Sequence, residues 1–548
     1  MGFLKVFDRK DNRFFAVVFV ITIITACLPL FSGNCINGDD IAYHLLRIEA
    51  LKEGIKEGLP FLRVNVLYFG GEGYASSMFY PDLLLYIPAL LRVMGVGINA
   101  AYHIFIGVCI ILGFFSAFCS VKSITDSRYA ALVSAVIFTL YQYHMDDIYE
   151  RSAVGEFTAM IFVPLVIAGL YDMVSNSMKK PYILGIGMAG VLLCHTITTV
   201  FCAVLCFIFV IAAIKKIIRE PVILLRLVIT AAAVLLLTSF YWIPVLEQTC
   251  SAVLSYKNVY FDVDYEKILF RDIFRNACPG MGTAIFILLM PRLLIKEKNE
   301  KTGFADLCLI TGILFTLCTT GLFPWARLSG ILSFIQFPWR LFIMSGSLLA
   351  VAEGIYINEA FSKDRYSETV RKTVLIAVSG IMIVSAVGNI NRNEQGYYSY
   401  SDDYFSYAPY TETVIGGEWL PETASDRDRL TNDAGIAYLD NGESIDVRRT
   451  KNMIDISDIP SGVKYIDVPF IYYKGYTAKD ESGERLKTDG NGSDGRVRVY
   501  TGGSENIHVY YEGTALQHIS DTVSILSLLG IIITAILVRR KKTIGKAE

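Results

Sequence analysis

Charge is scarce in this chain. Asp, Glu, Lys and Arg make up 19% of its 548 residues, while 53% are hydrophobic. That balance excludes an ordinary soluble domain and points to a polytopic membrane protein. Basic excess is missing too: 50 Lys and Arg face 52 Asp and Glu, for a net charge of −2. No electrostatic footprint for a nucleic acid is present. The 11 cysteines all lie between Cys27 and Cys318, with no CxxC pair and no metal-like spacing. They read as small core hydrophobes, and the C-terminal part is without a disulfide framework. Neither a Walker A sequence nor a dinucleotide-binding fingerprint occurs, so no nucleotide cofactor is expected and an ATP-driven pump is disfavoured. Lys5, Arg9, Lys10 and Arg13 precede a long apolar run with no small-residue cleavage site, which reads as an uncleaved first span.

What is abundant is apolar sequence of spanning length. Twelve spans are read at roughly 14–32, 98–121, 129–144, 156–173, 181–195, 197–214, 222–245, 280–295, 303–320, 339–357, 373–390 and 518–538. The apolar stretch 80–95 is short and broken by Pro81, Asp82, Pro88 and Arg92, and is expected to lie along the membrane surface. With the N-terminus inside, basic clusters at Lys179 and Lys180, at Lys215, Lys216 and Arg219, and in the tail Arg539 to Lys542 fall on one side, as the positive-inside rule asks. The N- and C-termini are then cytoplasmic. The outer side receives the loop 33–97, the turn 144–155, the loops 246–279 and 321–338, and the segment 391–517. That last segment alternates polar and apolar residues, as in Val497-Arg498-Val499-Tyr500 and Ile507-His508-Val509-Tyr510-Tyr511. Period-two patterning between Gly, Asn and Asp turns predicts a small β-sandwich-like domain. The expected organisation is a transmembrane domain over 1–390, an extracytoplasmic β-rich domain over 391–517, and a terminal span with a basic tail over 518–548.

Charged groups collect where this topology meets the outer face. Gly38-Asp39-Asp40-Ile41-Ala42-Tyr43-His44-Leu45-Leu46-Arg47 follows the first span, and Asp40 to Glu57 reads as an amphipathic helix. Asp40 and His44 are four apart and share a helix face or its N-terminal edge. One helix cap needs one carboxylate, so the second is the candidate for chemistry. Arg63 follows in the same loop. The next outer turn supplies Asp146, Asp147, Arg151 and Glu156, and Glu156 opens a span, where an ionised group is costly and more often functional. His195 sits between two apolar helices, and Gln336-Phe337-Pro338-Trp339-Arg340 precedes the tenth span. Each has a structural alternative. Asp146 and Asp147 can be loop acids, Arg151 and Glu156 can pair with each other, and His195 can be an interface histidine. Trp339 and Arg340 can be interfacial anchors, and Arg92 is best explained as snorkelling.

Acids and arginines at an outer membrane face suit sugar transfer from a lipid phosphate. A carboxylate takes the proton of an acceptor hydroxyl as it attacks the anomeric carbon. Arginines or a metal stabilise the departing phosphate. On this reading Asp40, Asp39 and His44 are the catalytic candidates. Arg47, Arg63, Arg151, Glu156, His195, Gln336 and Arg340 are the candidates for binding donor phosphate or substrate. Asp39, Asp40 and Asp146 are the candidates for an oxygen-rich Mg²⁺ or Mn²⁺ site.

These motifs carry a family resemblance. Gly38-Asp39-Asp40 with His44, Tyr149-Glu150-Arg151-Ser152-Ala153 with Gly155-Glu156, His195-Thr196, and Gln336-Phe337-Pro338-Trp339-Arg340 resemble bacterial YfhO-like membrane proteins. They also resemble the related group labelled 6-pyruvoyl-tetrahydropterin synthase-related, and more broadly the GT-C class of glycosyltransferases. The zinc-binding His trio of the soluble pterin synthase is not seen, so its chemistry is not carried over. The resemblance implies a GT-C-like α-helical polytopic fold and an inverting transferase. It would use an undecaprenyl-phosphate sugar at the outer face of a bacterial cytoplasmic membrane. In that pattern an acid of the first outer loop is the base or holds a metal, and Asp39 and Asp40 match the position. Protein O-mannosyltransferases have Asp-Glu where this chain has Asp-Asp, and the Trp-Trp-Asp motif of oligosaccharyltransferases is absent. Those departures favour a lipid, wall-polymer or polysaccharide acceptor over protein. The competing readings are a transporter or flippase for a lipid-linked glycan, a surface-polysaccharide polymerase, and a membrane scaffold.

Overall fold

The structure is a computed structural model that describes residues 10–255, 262–393, 395–402, 417–426, 435–450 and 452–544. Lys5 and Arg9, and the side chains of Lys10, Arg539, Lys541 and Lys542, lie outside the described residues, so their inner-face reading is not addressed. Helix dominates, with a β-rich region toward the C-terminus. Among the described residues six helices are long and apolar enough to cross a membrane: Ile98–Thr125, Val154–Asn176, Glu300–Cys318, Pro338–Ala360, Glu368–Ile390 and Ala515–Val538. A seventh is reached if Val222–Leu237 and Ser239–Ser251 are taken as one broken span. The other expected spans appear as shorter apolar helices, including Arg13–Ala26, Arg128–Leu140, Pro181–Leu192 and Thr196–Ala212. The stretch 280–295 is two short helical turns, Ala284–Ile287 and Met290–Leu294, with Pro291 opening the second.

The chain divides into two compact units. The first takes residues 1–41, 97–234 and 261–400. Its centre is the Pro338–Ala360 helix, whose apolar window is 94% buried within the protein. A helix wrapped on all sides is mostly apolar, and Leu348, Leu349, Ala350, Val351 and Ala352 are all sealed, as are the polar Ser345, Ser347 and Glu353. Close packing is bought by a missing side chain: a Cβ at Gly346 would stand 2.2 Å from the Tyr141 ring. A short ribbon also belongs to this unit. Strand β1 (Cys35–Ile36) pairs antiparallel with β2 (Tyr397–Tyr398), in register Cys35 with Tyr398. Asn99 reinforces it, donating from Nδ2 to the Tyr400 carbonyl at 2.7 Å.

The second unit takes residues 42–96, 235–260 and 401–548. The amphipathic reading of the first outer loop is realised as the helix Ile41–Lys56, which buries Leu45, Leu46, Ile48 and Leu51. Strands form where alternation predicts them. One five-stranded antiparallel sheet runs β10 (Thr488–Asp489), β11 (Arg496–Tyr500), β7 (Tyr465–Ile471), β3 (Ile436–Leu439), β4 (Ser444–Asp446). The other runs β5 (Arg448–Thr450), β6 (Met453–Ile456), β12 (Ile507–Tyr511), β8 (Tyr476–Asp480), β9 (Arg485–Leu486). The period of two puts Ile507 and Val509 inside and His508 outside on β12. Arg498 sits opposite Asp467 across β11 and β7 and grips it with two bonds of 2.7 and 3.0 Å.

Loop and sheets share one core in this unit. Glu72 and Arg496 form an ion pair with both side chains sealed from solvent. The Glu72 carbonyl also accepts from the Ile471 N–H at 2.8 Å. Arg92 corrects the snorkelling reading. Its side chain is buried, and it donates to Glu49 at 2.5 Å and to Asp402 at 2.8 Å. The residue ties the short Tyr86–Val93 helix to the Ile41–Lys56 helix.

Candidate functional site

In the first unit the double Asp is set by backbone, not by its own helix. Asn37 donates its N–H to the Gly396 carbonyl at 2.7 Å, continuing the β1–β2 ribbon. The next residues lie flat on the turn after the Gln142–Tyr149 helix: the Asp39 N–H bonds Glu150 O at 3.1 Å, and the Asp40 N–H bonds Arg151 O at 2.9 Å. Gly38 is required there, since a Cβ would fall 2.3 Å from Ser152 Oγ and 2.9 Å from Glu150 O. Ser152 itself sits at φ +51°, a strained value for a residue with a side chain. The helix begins at Ile41, so Asp40 stands at its N-terminal edge, one residue before the first turn.

The two carboxylates differ. Asp39 is exposed and accepts from Gln395 Nε2 at 3.1 Å. Asp40 is half-buried, and no side-chain hydrogen bond reaches its carboxylate among the described residues. Burial pushes the Asp40 carboxyl up to about 6. Arg151 and Arg340 pull it down, while Glu156 and Asp39 add to the rise. A carboxylate tuned upward and left open is matched to taking a proton near neutral pH.

Beside it lies a fully buried charge network. Arg151 grips Glu156 with two bonds, at 2.7 and 2.9 Å, and reaches Asp147 at 2.6 Å. Tyr143 donates its hydroxyl to Glu156 at 3.2 Å. Arg340 Nε donates to the same carboxylate at 2.8 Å. Two arginines thus meet two carboxyl groups out of solvent, where removing one partner is costly. Trp339 lies under the Arg151 guanidinium at 4.6 Å and stacks on Phe337 at 4.8 Å.

Arg340 is held in one orientation by a strained turn. The Phe337 N–H bonds Ile335 O at 2.7 Å across Gln336, whose φ is +63° and ψ −58°. This tight turn is rare for any residue with a side chain. It brings Gln336 Oε1 and Ile335 O to Arg340 Nη1 at 2.5 and 3.0 Å. The remaining amino group, Nη2, makes no hydrogen bond among the described residues. The arrangement therefore presents an open base, Asp40, and an open cationic donor, Arg340 Nη2. The charge network fixes the second and tunes the first.

The other expected site residues have partners of their own. His195 caps the Thr196–Ala212 helix, its Nδ1 accepting from the Thr198 N–H at 3.4 Å, while Glu156 acts on it electrostatically. Asp146 is buried and held by the amides of Gln142 and Asn389. His44, Arg47 and Arg63 belong to the second unit. There Arg47 pairs with Asp82, lies 4.3 Å over the Tyr80 ring and meets His44 Nδ1 at 3.2 Å. Arg63 pairs with Asp521 at 2.6 Å. Among the described residues no group of three or more His, Cys, Asp or Glu that could hold a metal ion is found. Tyr143 and Asp147 stand inside the charge network although neither was assigned a catalytic or binding role from the sequence, Asp147 being noted only as an outer-turn acid. The visible signal was only their place in a polar run between two spans.

A family model described as the 6-pyruvoyl-tetrahydropterin synthase related domain, a membrane protein, matches residues 77–392. The chain belongs to that family. The matched stretch of this family member holds Arg151, Glu156, His195 and Arg340, while Gly38 to Asp40 precede it. No curated protein matches the chain. Among solved structures it is similar to the arabinofuranosyltransferase AftD from Mycobacteria, with TM-score 0.44 and 13% identity over 70% of this chain and 27% of that one. It is also similar to the Archaeoglobus fulgidus oligosaccharyltransferase in complex with Zn and sulfate, with TM-score 0.39 and 10% identity over 70% of this chain and 53% of that one. The archaeal enzyme AglB in complex with an inhibitory peptide and a dolichol-phosphate matches at TM-score 0.39 and 10% identity, over 56% of its length. This chain thus spans about a quarter of AftD and about half of the oligosaccharyltransferase.

Proposed function

We propose that this protein is a membrane glycosyltransferase. It moves a sugar from a polyprenyl-phosphate donor to a lipid, wall-polymer or polysaccharide acceptor at the outer face of a bacterial cytoplasmic membrane. The observation that carries the reading is the Asp40 carboxylate: half-buried, without a hydrogen-bond partner among the described residues, and raised to about 6 beside Arg151 and Arg340. In the reaction Asp40 takes the proton of the acceptor hydroxyl as its oxygen attacks the anomeric carbon. The bond to the donor phosphate breaks with inversion. Arg340 Nη2 binds the departing phosphate, held in place by Glu156 and Gln336. Glu156 and Arg151 act through Arg340 and Asp40, as positioning residues.

The topology that goes with this reading has both termini in the cytoplasm, twelve membrane-crossing segments and residues 391–517 outside, with 1–390 as the transmembrane domain. A divalent metal at Asp39 or Asp40 would take the charge-stabilising part of the work. The test is sugar transfer by purified full-length protein in nanodiscs, given radiolabelled undecaprenyl-phosphate sugars with and without Mg²⁺ or Mn²⁺. Transfer is expected from the natural chain and not from Asp40→Asn. Normal transfer by Asp40→Asn removes the assigned base. Movement of the lipid-linked sugar across the bilayer without covalent transfer makes the protein a flippase instead.

A further inference from the structure

An exposed aromatic ring stands near Asp40 on a support that the charge network does not use. In the β1–β2 ribbon Cys35 and Ile36 are buried, while their partners Tyr398 and Tyr397 are 45% and 50% exposed. The ribbon is held in place by side chains. The Tyr400 N–H donates to Asn99 Oδ1 at 3.1 Å, the Cys35 thiol donates to the same oxygen at 3.4 Å, and the Tyr400 hydroxyl donates to Asn37 Oδ1 at 2.8 Å. Side chains alternate along it. Tyr398 and Tyr400 share one face, where their rings meet edge-on at 4.6 Å. Tyr397 falls on the other face with Gln395, since the Asn37 N–H bond to Gly396 O carries the pairing past Tyr397. Gln395 in turn donates from Nε2 to Asp39 Oδ1 at 3.1 Å. Gln395 Oε1 and Asp39 Oδ2 accept no hydrogen bond among the described residues. Ile36 lies opposite Tyr397, and Asp39 follows it by three residues, at most about 11 Å along the chain. Asp40 comes next. A ring face, open acceptor oxygens and the assigned base therefore fall within a length that two linked sugar rings cover.

We propose that this ledge binds the acceptor as a sugar chain. Tyr397 stacks on the ring next to the one that receives the new residue, and Asp39 and Gln395 accept hydrogen bonds from its hydroxyls. This placement rests on the transferase reading, which sets the receiving ring at Asp40. The C–H face of a sugar is apolar and fits the electron-rich face of an aromatic ring, while its hydroxyls are donors that carboxylate and amide oxygens take up. Charge argues against a bilayer surface as the occupant, because headgroup phosphates would meet the like charges of Asp39 and Asp40. The acceptor is thereby narrowed to one that presents at least two linked sugars.

The experiment is saturation-transfer NMR on the full-length protein in nanodiscs. The probes are chitotetraose, maltotetraose, isomaltotetraose and α-1,6-mannotetraose, each beside its own monosaccharide. At least one tetrasaccharide is expected to bind saturably, and more tightly than its monosaccharide. Tyr397→Ala is expected to weaken that binding by about tenfold or more, and Tyr397→Trp, which keeps a ring, to retain it. Tyr397 is exposed, so both variants should fold, which thermal unfolding checks. Binding of none of the four, or binding that Tyr397→Ala leaves unchanged, overturns the proposal and makes the ring a plain surface residue. Sugar-chain binding that depends on Tyr397, without transfer by the natural chain, removes the transferase and keeps the ledge. Transfer to a sugar-chain acceptor with the same KM in Tyr397→Ala removes the ledge and keeps the transferase.

Discussion

Replacing Glu156 by Gln tests the physical logic of the site more sharply than any catalytic assay. Glu156 is 1% exposed and carries two bonds from Arg151, one from Arg340 and one from Tyr143, all between 2.7 and 3.2 Å. Gln keeps the shape and one acceptor oxygen but removes the charge. Arg151 retains Asp147 as counter-ion, whereas Arg340 keeps only the neutral Gln336 and Ile335 oxygens. Breaking one side of a buried ion pair costs about 3–5 kcal/mol, because a charge is left without compensation. Equilibrium unfolding in mixed micelles should show a loss in that range. Adding Arg340→Met to Glu156→Gln removes the stranded charge, so the double variant should recover part of it. The expected coupling is up to about 3 kcal/mol. A Glu156→Gln variant within about 1 kcal/mol of the natural chain would refute the argument. So would additive losses in the double variant. Either result would mean that water or another group already neutralises the arginines.

The same variant should move a pH profile. Asp40 must be ionised to act as a base, so transfer should fall as pH drops through about 6. Glu156 raises that midpoint and Arg340 lowers it, so Glu156→Gln should shift the profile to lower pH and Arg340→Met to higher pH. Arg340→Met should also slow transfer by roughly 10²–10³-fold at optimal pH, the usual loss for one charge-stabilising donor. Gly38→Ala drives a methyl group into Ser152 and Glu150. It should cost about 1–3 kcal/mol by unfolding and reduce transfer with little change in donor binding, because it shifts Asp40 and leaves Arg340 in place. In the second unit Arg496→Met removes the buried ion-pair partner of Glu72, and should destabilise that unit by about 3–5 kcal/mol, read as earlier protease cleavage within the β-rich region.

Much of the fold was legible because period and composition speak directly about environment. Apolar runs of spanning length became the long helices, the Asp40–Glu57 pattern became a helix at Ile41–Lys56, and alternation at 497–500 and 507–511 became strands. Span length was less legible. The runs at 129–144 and 181–195 form helices of only 13 and 12 residues, and 280–295 is interrupted at Leu288 and Leu289. Hydropathy counts apolar residues but does not see where the backbone turns.

The candidate site was legible residue by residue and not as an arrangement. Sequence alone marked Asp39, Asp40, Arg151, Glu156, Gln336 and Arg340 as charged or polar groups at the edges of apolar segments, because such groups are costly there. It also paired Asp40 with His44 by spacing and left Arg92 as a snorkelling side chain. The tertiary structure placed His44 with Arg47 in the second unit and made Arg92 a buried link between Glu49 and Asp402. It alone decided that Glu156 joins two arginines 189 positions apart in the chain, which follows from 340 − 151 = 189. It alone left Asp40 open beside them. Spacing along a chain reports neighbours on one helix, whereas burial and charge balance are settled by segments that meet only when the chain has folded.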